Sequence, residues 1–192
     1  MISTIENTPV AEALVGRCVS GERQAWRDLH RTYYPVMAAF LRKLGVRDTE
    51  LEDACQDVFV RLHRYLPTFR GGAELKTWLY RLCATEAARI RQKRRISEAL
   101  GLLLRHQLAS DPPVSRQELT ADLARRKVEA ALGKLKPPER LVFVLYEFEG
   151  LSGEQIAKIA ECPVATVWRR LHYARKTFQA EVEAGGVQGG VS

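Results

Sequence analysis

Between Val164 and Phe178 the chain carries four Lys or Arg residues and no acid. At about 100° per residue, Val164, Val167, Leu171, Ala174 and Phe178 fall on one side of a helix, its buried side. Ala165, Thr166, Arg169, Tyr173 and Lys176 fall opposite, flanked by Arg170, His172 and Thr177. A helix that is apolar behind and cationic in front suits a DNA major groove, where Arg can bond a guanine edge in bidentate fashion. The plainer alternative is an amphipathic helix with a solvated basic face, and the residues just upstream argue against it. Ser152 with Gln155 reads as a capping box opening a short helix, Gly153 to about Ala160, that turns Ile156, Ala157 and Ile159 inward. Pro163 marks the first turn of the next helix. Two helices on so tight a turn make a helix-turn-helix.

A second basic stretch, Arg81–Arg95, holds six Lys or Arg residues against the single acid Glu86. On a helix from Glu74 to about Arg95, Leu75, Leu79, Leu82, Cys83, Glu86 and Ile90 share one side, with Glu86 the imperfection. Lys76, Thr77, Tyr80, Arg91, Arg94 and Arg95 share the other. Rings that stack on unpaired bases, interleaved with cations that follow phosphates, are what a single strand of nucleic acid requires. Tyr80 is expected on the surface; Trp78, at the flank, is open to core or surface. A third face is acidic: Asp53, Gln56, Asp57 and Arg64 gather around Val60, a lone apolar group able to form the small dry centre of a partner-binding patch.

The elements that must hold these faces are all helical. Val10–Val19 and Glu22–Leu44 read as helices parted at Ser20-Gly21, with Pro35 expected to kink or divide the second and Gly45 to end it. The second buries Ala25, Trp26, Leu29, Tyr33, Val36, Met37, Phe40 and Leu44. A helix capped by Thr49 with Glu52 buries Leu51, Ala54, Cys55, Val58, Leu62, Tyr65 and Leu66 before Pro67. Thr68–Ala73 is a loop. Ile96 to about Arg116 reads as a linker, part of whose Leu-rich stretch can form a short helix. Then come a helix lined by Leu119, Leu123, Val128, Ala131, Leu132 and Leu135, closed by Pro137-Pro138, and a dense apolar helix, Glu139–Phe148. The glycines after Phe178 predict a frayed tail.

The 192 residues carry a net charge of +7, concentrated in the two basic stretches, which points to a polyanion touched at two places. No apolar run nears the roughly 20 residues of a membrane span, and the N-terminus lacks the pattern of a signal peptide. Membrane insertion is therefore not expected. Cys18, Cys55, Cys83 and Cys162 lack metal-ligand spacing and read as buried thiols of a reducing, cytoplasmic compartment. The four His residues stand apart from any Cys or carboxylate pair at ligand spacing, and no Gly-rich phosphate loop follows a strand. No catalytic residue, metal or cofactor is expected, and an enzyme is the weakest reading.

With these residues in view, the chain resembles bacterial RNA polymerase sigma factors of the extracytoplasmic-function group of the sigma-70 family, from Leu14 to Phe178. EDACQDVFVRLHR matches the family helix that docks on the β′ clamp of core polymerase, which implies that role for Asp53, Gln56 and Asp57, with Val60 among them. FRGGAELKTWLYRLCATEAARIRQKRR matches the segment that melts and holds the minus-10 promoter element. The resemblance implies strand contacts from Phe69, Arg70, Lys76, Thr77, Trp78, Tyr80, Arg91, Arg94 and Arg95. LSGEQIAKIAECPVATVWRRLHYAR matches the minus-35 reader, with Ala165, Thr166, Arg169, Arg170, Tyr173 and Lys176 on its reading face. The implied fold is all-α: a lead-in (1–9), a helical region 2 domain (10–95), a linker (96–116), a helix-turn-helix region 4 domain (117–180) and a tail (181–192). The implied partners are core RNA polymerase, through its β′ clamp and β flap, promoter DNA and an anti-sigma protein. The chain departs from the family in placing Glu161 where the turn usually has Gly. A side chain there costs about 1 kcal/mol or more if φ is positive, or else the turn differs. It also carries Gly71-Gly72-Ala73 where some members use polar side chains to capture a flipped base. The competing reading is a free-standing helix-turn-helix regulator that binds operators without polymerase. Such a regulator needs a symmetric dimer, and it leaves the Asp53/Gln56/Asp57 face without a use.

Overall fold

The computed structural model describes residues 9–68, 75–104 and 121–187, with side chains described from 13–67, 75–100 and 125–184. Phe69, Arg70, the loop Gly71-Gly72-Ala73 and most of the expected linker lie outside the described residues. Among the described residues the chain is helical, with no strand. Helices α1 (Pro9–Val19), α2 (Arg23–Lys43), α3 (Asp48–Tyr65) and α4 (Leu75–Leu104) form one bundle. Helices α5 (Ala121–Lys134), α6 (Pro137–Phe143), α7 (Gly153–Ala160) and α8 (Val164–Val187) form the second.

In the first bundle, α2 contributes Leu29, Tyr33, Met37, Phe40 and Leu41 to the core, α3 contributes Leu51, Cys55, Val58 and Leu62, and α4 contributes Leu75, Leu79, Cys83 and Ile90. Each such side chain stabilises by about 1.5–3 kcal/mol on burial, and this bears on Pro35, expected to kink or divide the second helix. α2 is not divided at Pro35. A proline inside a helix costs about 3 kcal/mol, and the buried neighbours Tyr33, Met37, Ala38, Phe40 and Leu41 offset it. Trp26 and Val36, expected in this core, are half-buried, and Tyr65 is exposed.

Gly45 ends α2 at φ +90°, in the left-handed region. It also lets Arg140 of α6 approach: a Cβ there would sit 2.8 Å from Arg140 Nη1. α3 starts earlier than the expected Thr49 cap. Arg47 stands at the N-cap, and its backbone N–H donates to Glu50 Oε2 at 3.2 Å. Tertiary pairing selects this start, because Arg42 Nε holds Asp48 at 2.7 Å and Arg94 holds Glu50.

α4 runs nine residues past Arg95, so the first part of the segment read as linker is helix. Pro137 and Pro138 open α6 rather than only closing the helix before them, at a position where a missing N–H costs nothing. α6 continues as a π-helical turn, Val144–Phe148, closed by Glu149 N–H on the Val144 carbonyl at 3.2 Å. α8 continues to Val187, beyond the expected fraying point, with Gln179 bonded to Glu183 one turn on at 2.9 Å.

The two bundles share one hydrophobic core cluster. α4 packs against α7, and Arg140 donates its Nε–H to the Lys43 carbonyl.

Candidate nucleic-acid and polymerase interfaces

The helix-turn-helix is built as its residues dictate. Ser152 Oγ accepts the Gln155 N–H at 3.3 Å, and Gln155 Oε1 accepts the Ser152 N–H at 2.9 Å. Glu161 closes α7 in the left-handed conformation, φ 48° and ψ 49°. The conformation usually given to glycine is thus carried by a glutamate, whose carboxylate pairs with Arg81 of α4. The Pro163 carbonyl then accepts the N–H groups of Thr166 (2.8 Å) and Val167 (3.2 Å) as α8 begins.

On α8, Val167, Leu171 and Ala174 are buried, and Phe178 packs on Phe143 with centroids 4.7 Å apart. Val164, expected inside, is exposed at the first position of α8. Ala165, Arg169, Tyr173 and Lys176 are exposed, and Thr166 and Arg170 are half-buried. Arg170 Nη1 leans on Cys162 Sγ at 3.4 Å. Arg175 turns away from this face. Its Nε donates to Glu147 at 2.6 Å, and its guanidinium lies over the Tyr146 ring.

Two neighbours were missed from sequence. Lys136 joins Arg169, Arg170 and Tyr173 around a recess of ≈ 230 Å³ that Glu139, 4.0 Å from Lys136, also lines. It is distant along the chain from α8, so no helical pattern could find it. Trp168 is 46% exposed, with its ring edge-on to Tyr146. The ring lies so close to Gly153 that a Cβ there would come within 2.7 Å of Cζ2.

The α4 surface differs from expectation. Tyr80, expected outside, is 1% exposed; its ring packs on Phe40 at 4.5 Å and its hydroxyl donates to Glu149. Burial first, and then the Glu149 carboxylate, push its pKa far up, so it remains a donor. Thr77 is buried too, its Oγ1 without a hydrogen-bond partner among the described residues, and Trp78 is half-buried against the core. For Tyr80 the reason is tertiary: Phe40 of α2 covers its ring, and Glu149 of the second bundle takes its hydroxyl. Lys43 adds to the same contact, with Nζ 2.8 Å from Glu149 Oε1 and 4.9 Å above the Phe148 ring centroid.

Lys76 sits half-buried over the Tyr80 ring. Arg91 is half-buried, and burial, reinforced by the Arg94 charge, lowers its pKa. Arg94, expected to meet DNA, donates Nε to Glu50 at 2.9 Å and Nη2 to the Gly45 carbonyl at 3.1 Å. Burial alone would raise the Glu50 carboxyl; the Arg94 hydrogen bond, the Arg47 backbone N–H and the charges of both arginines together hold its pKa down. Arg95 is exposed. Among the expected strand contacts, then, Tyr80 and Thr77 are enclosed and Arg94 is engaged.

On α3, Asp53, Gln56 and Val60 are exposed, Val60 by 62%, and Asp57 is half-buried. Their spacing puts them on one helical face. Beside Gln56 and Val60 opens a groove of ≈ 930 Å³, lined also by Trp26, His30, Tyr34, Phe59 and His63. His30 lies between Tyr34 (5.1 Å) and Phe59 (4.5 Å), and His63 against Trp26 (4.6 Å). This aromatic wall joins residues of α2 and α3, and neither helix shows it alone.

Two family models match the chain: Sigma-70 region 2 over residues 29–96 and Sigma-70, region 4 over residues 125–178. The RNA polymerase sigma factor CnrH of Cupriavidus metallidurans is 29% identical over 178 residues, 89% of this chain and 93% of that protein. The ECF RNA polymerase sigma-E factor of Haemophilus influenzae is 29% identical over 185 residues, 90% and 95% of the two chains. Among solved structures, CnrH in complex with the cytosolic domain of CnrY superposes with a TM-score of 0.66 at 25% identity, covering 90% of this chain and 96% of that one. The Bartonella quintana sigma factor RpoE with the anti-sigma factor NepR has a TM-score of 0.66 at 22% identity, covering 82% and 96%, and shares the fold.

Proposed function

The chain belongs to the sigma-70 family, in its extracytoplasmic-function group, and from that premise we propose how its surfaces divide the work of promoter selection. The protein is a promoter-specificity factor that works with core RNA polymerase on promoter DNA. It acts in the cytoplasm and catalyses nothing itself; phosphodiester chemistry belongs to the polymerase. Among the described residues no helix is long and apolar enough to cross a membrane. An anti-sigma protein is a further partner, by analogy with the complexes of CnrH and RpoE.

The residue assignments are our own. Residues 10–95 and 117–180 form the two working domains, supported by the gap between the family matches at 29–96 and 125–178. Asp53, Gln56, Asp57 and Val60 meet the polymerase clamp. Ala165, Thr166, Arg169, Arg170, Tyr173 and Lys176 read the minus-35 duplex, with Lys136 beside them on phosphate. Phe69, Arg70, Lys76, Trp78, Arg91 and Arg95 hold the minus-10 strand, and Tyr80 joins them when it is released. The observation that carries this division is the exposed cationic front of α8 on a chain whose α3 exposes an acidic one.

The packed arrangement is a resting one. Promoter elements about 25 base pairs apart span roughly 85 Å of duplex, whereas a compact chain of 192 residues has a radius of gyration of about 16 Å. One molecule holding both elements must part its bundles. Parting breaks the contacts of Glu149 with Lys43 and Tyr80 and of Glu161 with Arg81.

Run-off transcription with a compatible core polymerase on a promoter library tests the whole reading. The expected result is start-site selection tied to a pair of spaced elements. Transcripts no different from those of core enzyme alone, with no inhibitor present, would overturn it.

A further inference from the structure

Glu86 interrupts an otherwise apolar stripe of α4 and is fully buried. A carboxylate removed from water must be paired, and its partners form a chain that leads out of the core. Arg89 donates Nε to both Glu86 oxygens, at 3.0 and 3.1 Å, and Nη2 to Oε1 at 2.6 Å. Arg61 of α3 reaches Oε2 at 2.9 Å. The same Arg89 Nη2 also reaches Asp57 Oδ2 at 2.5 Å. The series Glu86–Arg89–Asp57, with Arg61 a second partner of Glu86, therefore begins on an enclosed carboxylate and ends on a half-exposed one.

A guanidinium is a flat fork, and three contacts to one buried carboxylate leave it little freedom to swing. Asp57, on a short stem with about half its side chain in solvent, is the adjustable member of the series. A pair serving stability alone would be complete at Glu86 with its two arginines. The extension to Asp57 adds a contact with both side chains about half in water, where ion pairs contribute little. What that contact does supply is direction. It draws Asp57 to one rim of a recess of ≈ 280 Å³ whose lining also includes Asp53.

We propose that Arg89 is a positioning residue for polymerase docking: anchored on buried Glu86, it fixes the Asp57 carboxylate on the α3 face that core polymerase meets. The inference rests on the assignment of that face in the preceding section. Its physical content is preorganisation, since a carboxylate already held in one rotamer loses less freedom on binding. It also removes Arg89 from the set of cations available to DNA.

The test measures the affinity of the full-length chain for core polymerase by fluorescence anisotropy, with a thermal melt of each variant. Asp57→Asn, Arg89→Ala, Arg89→Lys and the Asp57→Asn/Arg89→Ala double variant are compared with wild type. Arg89→Lys keeps a cation beside Glu86 without the fork, and it serves where Arg89→Ala does not fold. The expected result is a loss of about three- to tenfold for each single variant, with the double variant no weaker than Asp57→Asn alone. A merely structural Arg89 would weaken binding equally in both backgrounds, and that outcome overturns the proposal. So does wild-type affinity in Arg89→Lys while Asp57→Asn is weakened. Wild-type affinity in Asp57→Asn removes the docking assignment itself, a failure distinct from that of Arg89.

Discussion

Helices α4 and α8 are both rich in arginine, yet the fold pairs or encloses most arginines of α4, Arg95 aside, and leaves the front of α8 in solvent. On α8, Arg169 and Lys176 stand in solvent, while Arg175 is drawn off to a carboxylate, Glu147. On α4, Arg81 is held by Glu161, Arg89 by Glu86 and Asp57, and Arg94 by Glu50, while Arg91 is half-buried. The difference lies in the neighbours. α8 closes over the apolar surfaces of α6 and α7, which leaves its outer face unclaimed. α4 runs between α3, whose first turn is acidic, and α7, which ends on Glu161. Charge along a helix measures what is available only when the surrounding elements are counted.

Substitutions can break this contrast or sharpen it. The largest effect is expected from the Arg61→Ala/Arg89→Ala double variant, which leaves the buried Glu86 carboxylate unpaired and costs about 3–5 kcal/mol of folding stability, read in urea melts. Lys176→Ala on α8 should stay within about 0.5 kcal/mol of wild type in the same melts. Equal stabilities for the two variants would erase the contrast.

Arg169→Ala leaves the fold intact and lowers minus-35 discrimination by about 1–3 kcal/mol, measured by competition between matched and scrambled elements. Equal loss on both sequences would reassign Arg169 to phosphate. Glu149→Ala removes the acceptor shared by Lys43 and Tyr80, which are worth about 1–3 kcal/mol as charge-assisted bonds. It should raise the inter-bundle distance seen by energy transfer and strengthen binding to a minus-10 single strand without polymerase. An unchanged distance would mean that the apolar contact holds the bundles by itself.

The smallest effect separates neighbours on α4. Arg95→Ala should flatten the salt dependence of strand binding by about 0.7 per lost phosphate contact. Arg94→Ala should leave that slope unchanged, because its guanidinium is bound to Glu50 and Gly45. Equal slopes for both variants would show that Arg94 lets go of Glu50 when DNA binds.

Much of the molecule is local and was therefore legible in the chain. The Ser152–Gln155 box, the turn at Glu161 and the period of Val167, Leu171 and Ala174 each depend on residues within a few positions. So does the exposed Asp53, Gln56 and Val60 face, because helical period alone sets which residues share a side. The errors fell where distant segments meet. Tyr80 reads as exposed because α4 alone gives it no partner; Phe40 of α2 and Glu149, far along the chain, supply them. Glu50, rather than Glu52, caps α3 because Arg94 holds it there. The aromatic groove needs α2 beside α3 before Trp26 and His63 can touch.

The order of amino acids thus determined the helices, the exposed cationic face of α8 and the family, since each is a matter of short-range periodicity and motif. Tertiary packing alone decided which cations remain free, which tyrosine is enclosed and how Glu86 reaches Asp57. Burial and ion pairing depend on what else is near in space, and no single helix contains that information.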